Sequence, residues 1–166
     1  MSQTHAATRA AGPTQAERLV RLRMASLGVV VMLIIEFILG MIYNLYGTAP
    51  TSTKAIGLFS SPTIALHVIV GFLLGLAAIV QLVRAIGTRH SLSIWLSALG
   101  LLSIIGAGFA GLGFSGSGAA GASLGMSLAF AAALACYVAL VVVLPSAASR
   151  AAPAARVSGD GSSSTT

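Results

Sequence analysis

The chain has 166 residues, of which 57% are hydrophobic and only 7% charged, too little charge to cover the surface of a soluble domain. Nine basic residues against three acidic ones give a net charge of +6, but the basic residues flank apolar segments and form no face with interleaved aromatics, which argues against nucleic acid as a partner. Four apolar stretches exceed the roughly 18 residues that mark a membrane span, so the expected fold class is all-α: a polytopic membrane protein built as an antiparallel bundle of four transmembrane helices.

Residues 1–14 form a polar, Ala/Thr-rich tail without the apolar core of a cleavable signal peptide, so the tail is expected to be disordered and the first helix to act as an uncleaved signal anchor. Thr14-Gln15-Ala16-Glu17 fits a capping box, in which hydroxyl and carboxylate satisfy free amides at a helix start. The helix then begins near Gln15 and spans the bilayer over about residues 22–46. Arg18, Arg21 and Arg23 reach back towards headgroups from its first turns.

After a loop at 47–61, Ser61-Pro62 starts a second helix over 62–86, with Ser as N-cap and Pro where its missing amide costs nothing. Gly87 is the expected left-handed stop. Ser91 opens a third helix over 91–114, Ser115-Gly116-Ser117-Gly118 makes a tight turn, and a fourth helix over 119–144 ends before Pro145. The transmembrane domain is therefore 15–145. The tail at 146–166 lacks apolar bulk and is expected to be disordered.

Short cytoplasmic segments retain an excess of Lys and Arg. Arg9, Arg18, Arg21, Arg23, Arg84, Arg89, Arg150 and Arg156 fall on one side of the predicted helices and only Lys54 on the other. This split predicts a multi-pass protein of the bacterial plasma membrane with both termini cytoplasmic.

Glu36 falls within the first helix, at a depth where an ionised carboxylate costs about 2.5–3.5 kcal/mol on insertion scales, so it must face protein or water. Counting from the helix ends in an antiparallel hairpin puts Glu36 level with Gly71 and His67 level with Gly40. Glu36, Gly40 and Asn44 recur at i, i+4, i+8, as do His67, Gly71 and Gly75. The glycines Gly40, Gly71 and Gly75 are expected to let the two backbones approach, with Glu36, Asn44 and His67 as a polar intramembrane site at the seam.

A neutral imidazole can also hold haem iron. Met126, expected at a depth comparable to His67, would then be the second axial ligand. Cys136 and Tyr137 read as packing residues, and the single cysteine allows no intramolecular disulfide. Phosphate loops, metal-ligand clusters, nucleophile elbows and carboxylate pairs are missing from the sequence, which disfavours a conventional hydrolase or kinase and assigns no catalytic residue and no metal site.

The segments Glu36-Phe-Ile-Leu-Gly40-Met-Ile-Tyr-Asn44-Leu-Tyr46, His67-Val-Ile-Val-Gly71 and Ala107-Gly-Phe-Ala-Gly111 resemble a family of small uncharacterised actinobacterial four-helix integral membrane proteins. That resemblance covers roughly residues 20–145 and implies the same membrane bundle, with no activity and no catalytic residue to carry over. The His-xxx-Gly element also resembles pieces of b-type cytochromes and haem A synthases, which implies haem.

Three readings follow. The first is an accessory or interaction subunit without a cofactor, whose partners are the lipid bilayer and another membrane protein or a second copy. The second is a proton-coupled carrier or sensor using Glu36 and His67. The third is a haem-binding redox protein, for which a Soret band is the signature.

Overall fold

The structure is a computed structural model that describes residues 13–144. Nearly all of both expected tails, including Arg9, Arg150 and Arg156, lies outside the described residues. Four helices, α1 (Gln15–Tyr46), α2 (Pro62–Thr88), α3 (Ser91–Ser117) and α4 (Ala120–Val143), follow one another in the chain. Each is long and apolar enough to cross a membrane. Among the described residues the remaining ordered pairing is an isolated bridge between Thr51 and Lys54.

The helix starts obey the local chemistry of the sequence. Thr14 Oγ1 accepts from the Glu17 amide at 3.3 Å while the Thr14 amide donates to Glu17 Oε2 at 3.0 Å, which completes the capping box. Ser61 Oγ accepts from the Ile64 amide at 3.3 Å, with Pro62 beside it at the first helical position.

The stops differ from expectation. Gly87 stays helical and α2 continues to Thr88, because the Thr88 hydroxyl donates to the Ala85 carbonyl at 2.7 Å and Arg18 Nη1 to the Gly87 carbonyl at 3.4 Å. The left-handed residue is Arg89, with φ of 53°. Likewise α3 runs through Ser115 and Ser117 and stops only at Gly118, whose φ of 66° supplies the left-handed cap.

The helices form a closed ring in which α1 packs on α2 and α4, and α3 on α2 and α4, while the diagonal pairs do not meet. Long-range bonds tie α1 to its neighbours at the end bearing Gln15, called here the near end. Gln15 Nε2 donates to the Thr88 carbonyl at 3.4 Å, and Arg23 Nε to the Val141 carbonyl near the end of α4 at 2.7 Å. At the far end the 47–61 loop lies across the α3–α4 turn, with the Ile56 amide donating to the Ser115 carbonyl at 2.9 Å.

Buried positions follow alternating steps of three and four. On α1 they are Leu22, Ser26, Val29 and Leu33, and on α2 Leu74, Ala78, Gln81, Ala85 and Thr88. This is the heptad seam of left-handed helix packing. The core so formed occupies the near half of the bundle and is completed by Ala133, Tyr137 and Leu140 of α4. On α3 the buried positions are Ser93, Ser97 and Gly100 rather than large apolar side chains. The outward faces carry Leu, Ile, Val and Phe side chains such as Phe72, Leu102 and Phe109, which suits contact with lipid.

Candidate functional site

Glu36 continues the α1 seam one step beyond Leu33, and Gly71 and His67 continue the α2 seam one and two steps beyond Leu74. The side chains of Glu36 and His67 meet across the α1–α2 interface, with His67 Nδ1 3.1 Å from Glu36 Oε1. Each group rests on the glycine opposite it. A Cβ at Gly71 would lie 2.8 Å from Glu36 Oε1, and a Cβ at Gly40 would lie 3.4 Å from His67 Cε1. The missing side chains on the two glycines therefore create the space that each polar group fills, in the antiparallel register that helix length alone implies.

The pair is shielded but not sealed, since the Glu36 side chain is 13% exposed and that of His67 33%. The approach is oblique: neither His67 Nδ1 nor Glu36 Oε2 has a well-aligned hydrogen-bond partner, although both atoms are buried. Such a pair is held by charge or by a shared proton more than by directional hydrogen bonding, and either proton arrangement fits the same distance.

Two residues expected at this seam are not there. Asn44 is exposed, and a Cβ at Gly75 would meet nothing within 4 Å. The reason is rotation. A step of four keeps two residues on neighbouring turns, but a step of eight turns the side chain away by about 80°, whereas a step of seven drifts only about 20°. Gly40 and Gly71 thus belong to the seam and Asn44 and Gly75 do not.

His67 and Met126 are not brought together either. His67 faces α1, while Met126 Sδ lies 3.4 Å from where a Cβ of Gly111 would stand, in the α3–α4 interface. Similar depth was the basis for pairing them, but α2 and α4 are diagonal in the ring. Among the described residues no three His, Cys, Asp or Glu side chains gather as a metal site. Cys136 is free and half-buried on α4.

A second polar group, unforeseen from the sequence, lies in the near half. Gln81 Nε2 donates to the Leu22 carbonyl at 3.1 Å and to Ser26 Oγ at 2.6 Å, and Ser26 Oγ donates to the Leu22 carbonyl at 3.0 Å. Gln81 is 1% exposed and Ser26 0%. Ser97 of α3 and Tyr137 of α4 are likewise buried, and Ser97 Oγ, Tyr137 Oη and Gln81 Oε1 have no hydrogen-bond partner. The Tyr137 ring packs on Gly100, where a Cβ would come within 2.7 Å of Cε2. The signal was present: Ser26 and Glu36 fall on one three-four seam of α1, and Gly71 and Gln81 on that of α2.

Fold and site together define a class, a helical membrane protein of four apolar helices with interior polar groups that meet across its α1–α2 interface. No protein-family model, curated protein or solved structure matches the chain.

Proposed function

We propose that the chain is a small accessory or interaction subunit of the bacterial plasma membrane, with both termini cytoplasmic and Glu36 and His67 serving as an interhelical tie. The observation that carries this reading is that two interior polar groups meet across the α1–α2 interface in one register. Glu36 meets His67, and Gln81 meets Ser26 and the Leu22 carbonyl. What supports the orientation is charge: Arg18, Arg21, Arg23, Arg84 and Arg89 lie towards the near end and Lys54 at the far end.

A second reading, a proton-coupled carrier or sensor, draws on a specific feature of the same pair. Glu36 Oε2 is buried without a partner beside an imidazole that is one-third exposed, which is an arrangement able to take up and pass on a proton. One comparison separates the two. Full-length wild type and Glu36→Gln are reconstituted in liposomes holding a pH-sensitive dye, and their unfolding is measured in parallel. The tie predicts similar stability and no difference in proton flux, because an amide retains the size and the acceptor of the acid. A flux present in the wild type and abolished in the variant would replace the accessory reading by the carrier.

A further inference from the structure

A cleft of about 590 Å³ opens between α1 and α2 at the near end, and three arginines, Arg18, Arg21 and Arg84, line it. Arg18 is held in place, since its Nε donates to the Pro13 carbonyl at 3.3 Å and its Nη1 to the Gly87 carbonyl at 3.4 Å. Arg21 and Arg84 are exposed. Among the described residues the one acid–base side-chain pair within 4 Å is that of Glu36 and His67 at the other end of the seam, so none of their carboxylates lies within 4 Å of the cleft arginines. Glu17, the acid nearest in sequence, has its carboxylate on the Thr14 amide. The end of α2 contributes a negative charge of roughly one half, which three guanidinium groups outweigh.

The cleft is also graded along the helix axis. Arg18 and Arg21 belong to the first two turns of α1, and Arg84 lies one turn before the end of α2. Met24 and Ala25, which line the same cleft, are three and four residues further along α1 than Arg21, or about 4.5–6 Å deeper at the rise of an α-helix. Cationic groups therefore sit at the rim and apolar ones deeper, the order in which a phospholipid presents its phosphate and its acyl chains. A soluble anion would use the rim alone.

We propose that this cleft binds one anionic phospholipid, with the headgroup phosphate on Arg21 and Arg84, Arg18 bracing the rim, and the upper acyl chain along Met24 and Ala25. Basic pockets between transmembrane helices are suited to such headgroups. The site is separate from the Glu36–His67 pair and stands whether or not that pair is a tie, but it requires that α1 and α2 cross the bilayer.

The test is native mass spectrometry of the full-length protein released from a neutral detergent, titrated with phosphatidylglycerol or with phosphatidylcholine of the same acyl chains. Phosphatidylglycerol is expected to bind in preference, as a single tightly held molecule. The double variant Arg21→Gln/Arg84→Gln, at exposed positions, is expected to weaken that binding about thirtyfold at the usual attraction of two basic residues to anionic lipid. Lys54→Gln, the same change of charge type at the far end, is expected to leave it unchanged. Equal retention of the two lipids, or undiminished binding by the double variant with helical content intact, overturns the proposal. Displacement of the lipid by excess inorganic phosphate also overturns it, by showing a site for a free anion.

Discussion

The near and far halves of the bundle handle buried polarity differently. In the near half Ser26, Ser97 and Tyr137 are 0% exposed and Gln81 1%, and all are neutral groups. In the far half the ionisable pair Glu36 and His67 remains partly open. A neutral amide or hydroxyl sealed from water costs about 1–3 kcal/mol if unpaired, whereas an ionised group costs several times more unless paired or given access to solvent. The near half accordingly holds sealed groups that carry no charge, and the ionisable pair occupies the half with fewer fully buried side chains.

The largest test of this contrast is Gln81→Ala. It opens a void in the tightest part of the core and removes both bonds to α1, and a loss of about 2–4 kcal/mol is expected, as for other large-to-small core changes, read as unfolding free energy in detergent or bicelles. Next comes Gly100→Ala, whose new methyl meets the Tyr137 ring at 2.7 Å with no flexible end to move aside. Overpacking of this kind costs about 1–3 kcal/mol, while Gly106→Ala on the same helix, with nothing within 4 Å, is expected to leave stability unchanged or slightly raised.

The far half should respond less. Gly71→Ala places its methyl against the Glu36 carboxylate, the mobile end of a side chain, so a loss of under about 1 kcal/mol is expected at the low end of overpacking costs. That loss should vanish in a Glu36→Ala background, and a persistent penalty there would show that backbone approach, not the carboxylate, sets the cost. The smallest effect is expected from Glu36→Gln. Interhelical polar contacts in membranes average about 0.6 kcal/mol in double-mutant cycles, and a coupling of that size is predicted between Glu36→Ala and His67→Ala, each of which removes the contact. A coupling several times larger would mean that the two halves do not differ in kind.

Much of the fold was legible because its determinants are local. The capping box at Thr14 and the Ser61-Pro62 start depend on residues three or fewer apart, and apolar length needs no partner at all. The Glu36–Gly71 and His67–Gly40 juxtapositions could be counted from the helix ends because two antiparallel helices of similar apolar length must span the same thickness of bilayer. Asn44 and Gly75 were misplaced by following a step of four where a seam needs three and four alternately. Gly87 misled because a glycine permits a left-handed stop without requiring one, and the bonds from Thr88 and Arg18 hold it helical.

By itself the sequence determined that there are four apolar helices, where their starts lie, and that positive charge gathers at one end, since length, capping and charge are properties of contiguous residues. Only the tertiary structure decided that α2 and α4 are diagonal, which parts His67 from Met126. The same arrangement turned Gln81 inward onto Leu22 and Ser26, and gathered Arg18, Arg21 and Arg84 around one cleft. Those outcomes depend on which faces of separate helices meet, and that is settled by packing the whole ring at once.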